Sequence, residues 1–448
     1  MSADLSSLAH QLIDAARRAG ADQADALAVD GRSLSIEVRS GQLEQAERAE
    51  GVDIGLRVLI AGRQGCVSGS LTDAATIAAM AERAVAMARE APVDDTLGLA
   101  DAGELSTRRD ADGLELADNA PEPSPDALQD MALRAEAAAL SRPGISQVES
   151  AAAGYGLRRM WLAATNGFSG GYTRSTHSLS TVAITGEGLG MERDYAGEAR
   201  AFASDLPDPE SIGHLAADRT LARAGSRKPP TGAFPILYDH RVASSLIAHL
   251  LSAVNGAAIA RGASWLRRDL GAQVLPAGFD LTDDPLRPRY PSSRPFDAEG
   301  LATRPRQIIA DGVLTGWTLD LGTARKLGMT STASAARGMA SAPSPTNGNV
   351  ILTSGTASRD DLIADMGRGL IVTSMLGASV NATTGDYSRG AAGFWVENGR
   401  IAYPVNECTI AGNLRDMLMT MRAANDAPPF RGATVPSLLI GGMTVAGA

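Results

Sequence analysis

Asn398-Gly399 stands between two apolar-rich runs, 394–397 and 400–403. No other short stretch constrains this chain more. A two-residue type I′ turn needs positive φ at both central positions, and it sets the flanking strands in antiparallel register. Upstream, 377–390 is rich in small residues, including Gly377, Gly385 and Gly390, and predicts a loop. Downstream, Pro404 is expected to limit the second strand. Asn413 is placed to cap a helix whose apolar face is Leu414, Met417, Leu418 and Met421. The stretch 377–418 reads as loop, hairpin and capped helix.

Taken in order, residues 5–19 carry Leu5, Leu8, Leu12 and Ala16 at helical spacing. Residues 24–29 and 33–38 alternate like two strands about the turn pair Asp30-Gly31, and 52–60 and 66–70 follow as strands before a helix from about Thr72 to Arg89. Residues 93–125 are rich in Asp, Glu, Pro and Gly and predict a linker or a loosely ordered excursion. The order then recurs: a helix over 125–140, strands over 147–153, 157–165, 178–185 and 198–202, and a helix opened by Pro207 and Pro209. The expected fold class is α+β. Two N-terminal sheet-and-helix modules, a helix-strands-helix duplication in outline, precede a mixed, strand-rich C-terminal domain. The expected bounds are 1–110, 118–225 and 232–448, with the breaker at 226–232 between the last two. In the C-terminal part, 240–261 predicts a helix and 308–321 a hairpin about Asp311-Gly312. The low-complexity run 331–348 predicts a segment that is either mobile or ordered only by a partner.

The formal net charge of −10 argues against a surface that neutralises nucleic-acid phosphates. No apolar run approaches the length that spans a bilayer, and the acidic residues Asp4 and Asp14 make the first helix unlike a signal peptide. Two distant cysteines, Cys66 and Cys408, fit a reducing compartment, so the expected location is the cytoplasm.

TTGDYSRGAAGFWVENG, followed by YPV and TIAGNL, resembles the C-terminal signature of the TldD/PmbA family, nearest its PmbA/TldE branch. The likeness continues through 164–168, 191–195, 294–300 and 324–328, and so spans most of the chain. For this branch the resemblance implies the non-zinc subunit of a TldD/TldE-type metallopeptidase complex acting on unfolded or leader-type peptides. It implies a TldD-like zinc chain as heterodimer partner, zinc in that partner, and no cofactor in this chain. Self-pairing of the isolated chain is the alternative to the heterodimer.

The family's catalytic helix carries His-Glu-x-x-x-His, in which two imidazoles share a zinc and the carboxylate takes a proton from metal-bound water. Here His249 stands at the first ligand position, Leu250 replaces the glutamate and Val254 the second histidine, and 240–268 contains no Asp, Glu or Cys. His240, nine residues earlier, falls on the opposite helical face. His10, His177 and His214 show no ligand spacing. The expectation is therefore no catalytic residue and no metal ligand in this chain, with a degenerate motif at His249, Leu250 and Val254. The remaining residues with a case for peptide contact are Tyr387, Ser388, Arg389, Phe394 and Trp395, as part of a sheet-edge peptide groove at the loop and hairpin. Two other readings stay open. One is a self-sufficient hydrolase using carboxylates such as Glu192, Asp194 or Glu407; the other is a non-enzymatic regulatory binding protein. Gly186–Gly190 reads as a strand turn, and Cys408 as a buried small hydrophobe.

Overall fold

A computed structural model describes residues 4–447; the other terminal residues within the expected domain bounds lie outside the described residues. Helix α1 (Leu5–Ala19) starts where the Asp4 carboxylate accepts the Ser7 N–H and stops at Gly20, whose φ of 98° favours glycine. It is followed by β1 (Gln23–Arg39), β2 (Gln42–Ile60), β3 (Arg63–Gly69) and α2 (Ala74–Glu90). The second unit repeats the order with α3 (Pro125–Leu140), β4 (Ile145–Ala164), β5 (Ser169–Thr185), β6 (Glu192–Arg200) and α4 (Pro209–Leu221). All six strands form one antiparallel sheet, ordered β3-β2-β1-β4-β5-β6, so the two units meet where β1 pairs with β4.

The expected turn at Asp30-Gly31 is absent. Pairing runs straight through it, with Asp30 opposite Val52 and Arg159, and Gly31 opposite Gly51 and Arg158. Partners on both flanks keep the backbone extended where local residue preference alone predicts reversal. The same holds on β4, where the expected gap between 153 and 157 is continuous strand. Alternation on β1 then assigns the two helix pairs to one face. Ala24, Ala26 and Ala28 pack with α1 and α2, and Leu34, Ile36 and Val38 pack with α3.

The C-terminal half is built on β7 (Gly232–Tyr238) and the strands Gly369–Val380, Asp386–Glu397, Arg400–Asn413 and Leu438–Ala446. Pairing between Arg400–Asn413 and Leu438–Ala446 closes the sheet into a barrel. Asn398 and Gly399 have φ of 53° and 71°, as the type I′ turn requires. Strands are longer than expected on both sides of that turn. The predicted loop at 377–390 shrinks to the turn between Val380 and Asp386, and Pro404 does not end its strand. At Pro404 the outer side of the strand meets residue 227 instead of a full neighbour: its carbonyl accepts the Arg227 N–H, so the missing proline N–H costs no ladder bond there. Helix α5 (His240–Ala253) follows β7, and Leu246, Ile247 and Leu250 join Ile236, Tyr238 and Val372 in the main core; a second turn of helix, Gly256–Ala260, comes after a break, where one continuous helix was expected. Helix Arg359–Met366 covers the other face through Leu362, Ile363 and Met366 against Leu237 and Ile371.

Two segments, one expected to be a linker or loosely ordered and the other mobile or ordered only by a partner, are docked within the chain. In 93–125, Leu99, Leu114 and Leu116 are buried, the Gly171 and Ser175 N–H groups bond the carbonyls of Arg109 and Leu116, and Arg325 donates to the carbonyls of Thr96, Gly98 and Leu99. The run 331–348 crosses the N-terminal sheet, where Arg337 pairs with Asp25 and the Met339 backbone occupies the space a side chain at Gly55 would need. Asp25 also binds Arg57 at 2.6 Å (Nε to Oδ2), which makes a buried triad joining the two halves of the molecule.

Close to this seam, Glu299 accepts the Leu321 N–H, while burial and the neighbouring Asp297 charge push its pKa up to about 8. The folded chain thus retains a proton that the unfolded chain, titrating near 4.5, has released. Stability falls as pH rises between those two values. Asp297, raised mainly by its own burial, adds a slope of the same sign. Glu299→Gln keeps the acceptor for Leu321 and removes the ionisation. It is expected to unfold at higher temperature than the parent above pH 8 and to flatten the parent's decline between pH 5 and 8, read from thermal melts.

Candidate functional site

The α5 face that would carry a metal motif points at the barrel hairpin. His249 is half-buried, its ring edge-on to Tyr387 with centroids 5.9 Å apart, and its Nε2 is buried without a hydrogen-bond partner. Burial, reinforced by the Arg389 charge, lowers its pKa and favours the neutral imidazole. Arg389 is held by a 2.7 Å bond from Nε to the Gly377 carbonyl. Tyr387 is 2% exposed, with its hydroxyl 3.4 Å from the Met375 sulfur. His249 thus forms one cluster with Tyr387 and Arg389, which lie far from it in sequence. Leu250 and Val254 do not join it; both are fully buried in the main core.

Of the other expected contacts, Ser388 is half-buried beside Tyr387. Trp395 is wholly buried, packed edge-on against Phe234 at 4.9 Å, with its Nε1 donating to Glu397 at 3.1 Å. Phe394 points the other way, into a separate cleft. Strand Asp386–Glu397 is hydrogen-bonded on both sides, so it offers side chains here and no free edge.

That separate cleft, of about 630 Å³, opens at the N-terminal end of α5 and is lined by His240, Arg241, Arg359, Thr373, Phe394 and Asp426 among others. His240 Nδ1 lies 3.5 Å from Asp426 and 3.6 Å from Asp239. Asp426 is partly buried, yet the nearby His240 ring and bonds from the Ser437 hydroxyl and N–H hold it down to about 2. No local signal marks this arrangement, because Asp426 and Ser437 reach His240 only through the closed barrel.

The carboxylates considered for acid/base work are engaged elsewhere. Glu192 accepts from Arg223, Ser226 and Asn406, and Asp194 from Arg241 and the Tyr195 N–H; together they tie the edge strand β6 to the C-terminal half. Glu407 is exposed, 3.8 Å from Lys228. Cys408 is buried, donates to the Ala391 carbonyl, and has its thiol pushed up to about 11 by burial. Among the described residues no three His, Cys, Asp or Glu side chains are grouped to hold a metal ion. One imidazole between a guanidinium and aliphatic neighbours does not fit a zinc. No helix among the described residues is long and apolar enough to cross a membrane.

Comparison with known proteins places this geometry. Models of the PmbA/TldA metallopeptidase match domain 1 over 24–88, the central domain over 118–224 and the C-terminal domain over 231–447. The chain is 38% identical to metalloprotease PmbA of Escherichia coli O157:H7, covering 92% of this chain and 90% of that protein. It is 34% identical to a metalloprotease PmbA homolog of Haemophilus influenzae, covering 97% and 94%. In structure it is similar to a Bacteroides thetaiotaomicron protein that carries a DNA-gyrase-modulator name, with a TM-score of 0.91 and 27% identity over all of both chains. It shares its fold with TldE of Thermococcus kodakarensis, with a TM-score of 0.83 and 20% identity over 98% of this chain and 99% of that one.

Proposed function

The chain belongs to the PmbA/TldD metallopeptidase family, and we propose that it is the non-catalytic subunit of a two-chain zinc metallopeptidase. In this reading a TldD-like partner holds the zinc and cuts unfolded or leader-type peptides in the cytoplasm. This chain completes the cleft wall and binds substrate. One observation carries the reading: on α5, His249 has no ligating companion, because Leu250 and Val254 are built into the core. Without the carboxylate, no general base stands beside a bound water; without the second imidazole, metal affinity is lost. The cluster of His249, Tyr387 and Arg389 supplies in its place a neutral ring, a buried phenol and a fixed cation. Such groups bind and orient a peptide and perform no hydrolysis.

The test uses the purified chain alone and mixed with a TldD-like counterpart, with bound zinc and cleavage of an unstructured peptide as readouts. The lone chain is expected to carry no stoichiometric zinc and to leave the peptide intact, and the mixture is expected to cleave it in a chelator-sensitive manner. Zinc-dependent cleavage by the lone chain would overturn the proposal. Chelator-insensitive cleavage would instead favour a self-sufficient hydrolase, for which His240 and Asp426 are the residues to mutate first.

A further inference from the structure

Between the helix-free face of the N-terminal sheet and the C-terminal half lies a pocket of about 210 Å³. Leu27, Met160, Leu162, Tyr172 and Phe296 make an apolar wall, against which stand Arg158, Arg174, Arg294 and Arg337 with a single carboxyl, Asp297. Asp297 is already engaged, accepting the backbone N–H groups of Glu299, Leu301 and Ala335. Arg174 is committed to the carbonyls of Tyr290, Pro291 and Ser293. The others retain capacity. The Arg337 side chain is 1% exposed; it pairs with Asp25 through Nη1, while Nη2 has no hydrogen-bond partner. Arg294 gives one N–H to the Thr346 carbonyl, and its buried Nε is unpartnered. Arg158 is exposed and makes no side-chain hydrogen bond or ion pair among the described residues.

Four cations about one engaged carboxyl are unexpected in a chain of net charge −10. Buried guanidinium groups with unmet donors are stabilised by an anion, and their planar fork matches a carboxylate. The pocket also shares Val29, Arg158 and Arg174 with a trough of about 560 Å³ that crosses the same sheet face. Gly31, Gly51 and Gly156 line that trough; a Cβ at Gly31 or Gly51 would meet nothing within 4 Å, and one at Gly156 would meet only the Arg32 carbonyl oxygen, at 3.9 Å. An extended chain can therefore lie close to this sheet and deliver one end into the pocket.

We propose that this pocket binds a carboxylate borne on a short apolar group, supplied by a peptide as its terminal carboxylate or as an acidic side chain, with the rest of the peptide along the trough. The inference rests on the peptide-binding reading above for the source of the carboxylate, and on the arginine cluster alone for its chemistry. Calorimetry on the full chain tests it with N-acetyl-leucine against N-acetyl-leucinamide. Unstructured peptides follow in two pairs, one differing in a free or amidated C-terminus and the other in an internal Glu or Gln. The acid of the small pair is expected to bind at least about tenfold more tightly than the amide, the scale of a charge-assisted hydrogen bond. Arg158→Ala, which breaks no hydrogen bond or ion pair among the described residues, is expected to abolish that preference. The peptide pair that repeats the preference identifies the source of the carboxylate. Equal binding of acid and amide, no binding of N-acetyl-leucine, or a preference that survives Arg158→Ala would overturn the pocket. Peptides that bind without discrimination would do so too, while leaving the peptide-binding reading intact. N-acetyl-leucine binding without any peptide binding would sustain the pocket and remove the peptide as its source.

Discussion

Asp25→Ala is expected to lower the stability of this chain by about 3–5 kcal/mol, the range found when one partner of a buried ion network is removed. Asp25 is the shared carboxylate of two guanidinium groups, Arg57 and Arg337, whose side chains are 4% and 1% exposed. Neither arginine can turn to water without moving backbone, because Arg57 lies within strand β2 and Arg337 within the strap that crosses it. Burial already lowers both arginine pKa values, Arg337 to about 10, and removing Asp25 would leave both buried guanidinium groups without the carboxylate they share. The loss should show as a shifted urea midpoint with little change in slope, and as faster hydrogen exchange around residue 337. Asp25→Asn preserves the shape and removes the charge, and should cost nearly as much. A loss below about 1 kcal/mol, as for an exposed pair, would show that the seam is held by apolar contact alone.

The same triad shows what the sequence could and could not convey. The Asn398-Gly399 hairpin, the Asn413 cap and the apolar stripe of α1 were legible because each depends on residues a few positions apart. The recurrence of helix, strands and helix was legible in outline, yet strand lengths were not. Whether Asp30-Gly31 turns or runs straight is decided by Val52 and Arg159 on neighbouring strands. Segments 93–125 and 331–348 look unstructured by composition, because their order comes from distant partners: Arg325 for the first, and Asp25 with the backbone at Gly55 for the second. His240 was read only as a poor substitute for a ligand; closure of the barrel is what brings Asp426 to it.

Rebuilding the motif with Leu250→Glu and Val254→His is expected to unfold the C-terminal half instead of creating a zinc site. Both positions are fully buried among Ile236, Tyr238 and Val372. Removing the leucine side chain from the core forfeits about 2 kcal/mol. A carboxyl in its place must stay neutral or draw in water. A fully buried acid has its pKa raised by roughly 3–5 units, and at pH 7 the cost is capped by protonation at about 2.7 units above the free value of about 4.3, or about 4 kcal/mol. The total of about 6 kcal/mol rivals the whole stability of a marginal domain. The double variant should be insoluble or melt without cooperativity, with no zinc by elemental analysis. The single variant Val254→His, which introduces a ring without a carboxyl, should fold with a lowered melting temperature and still hold no zinc. The comparison separates two accounts of the degenerate motif. If ligands had merely been deleted from a site that otherwise persists, restoring them would restore binding and cost little. If the core has closed over those positions, the helix is committed to packing. A soluble, cooperatively folded double variant with one zinc per chain would decide for the first account.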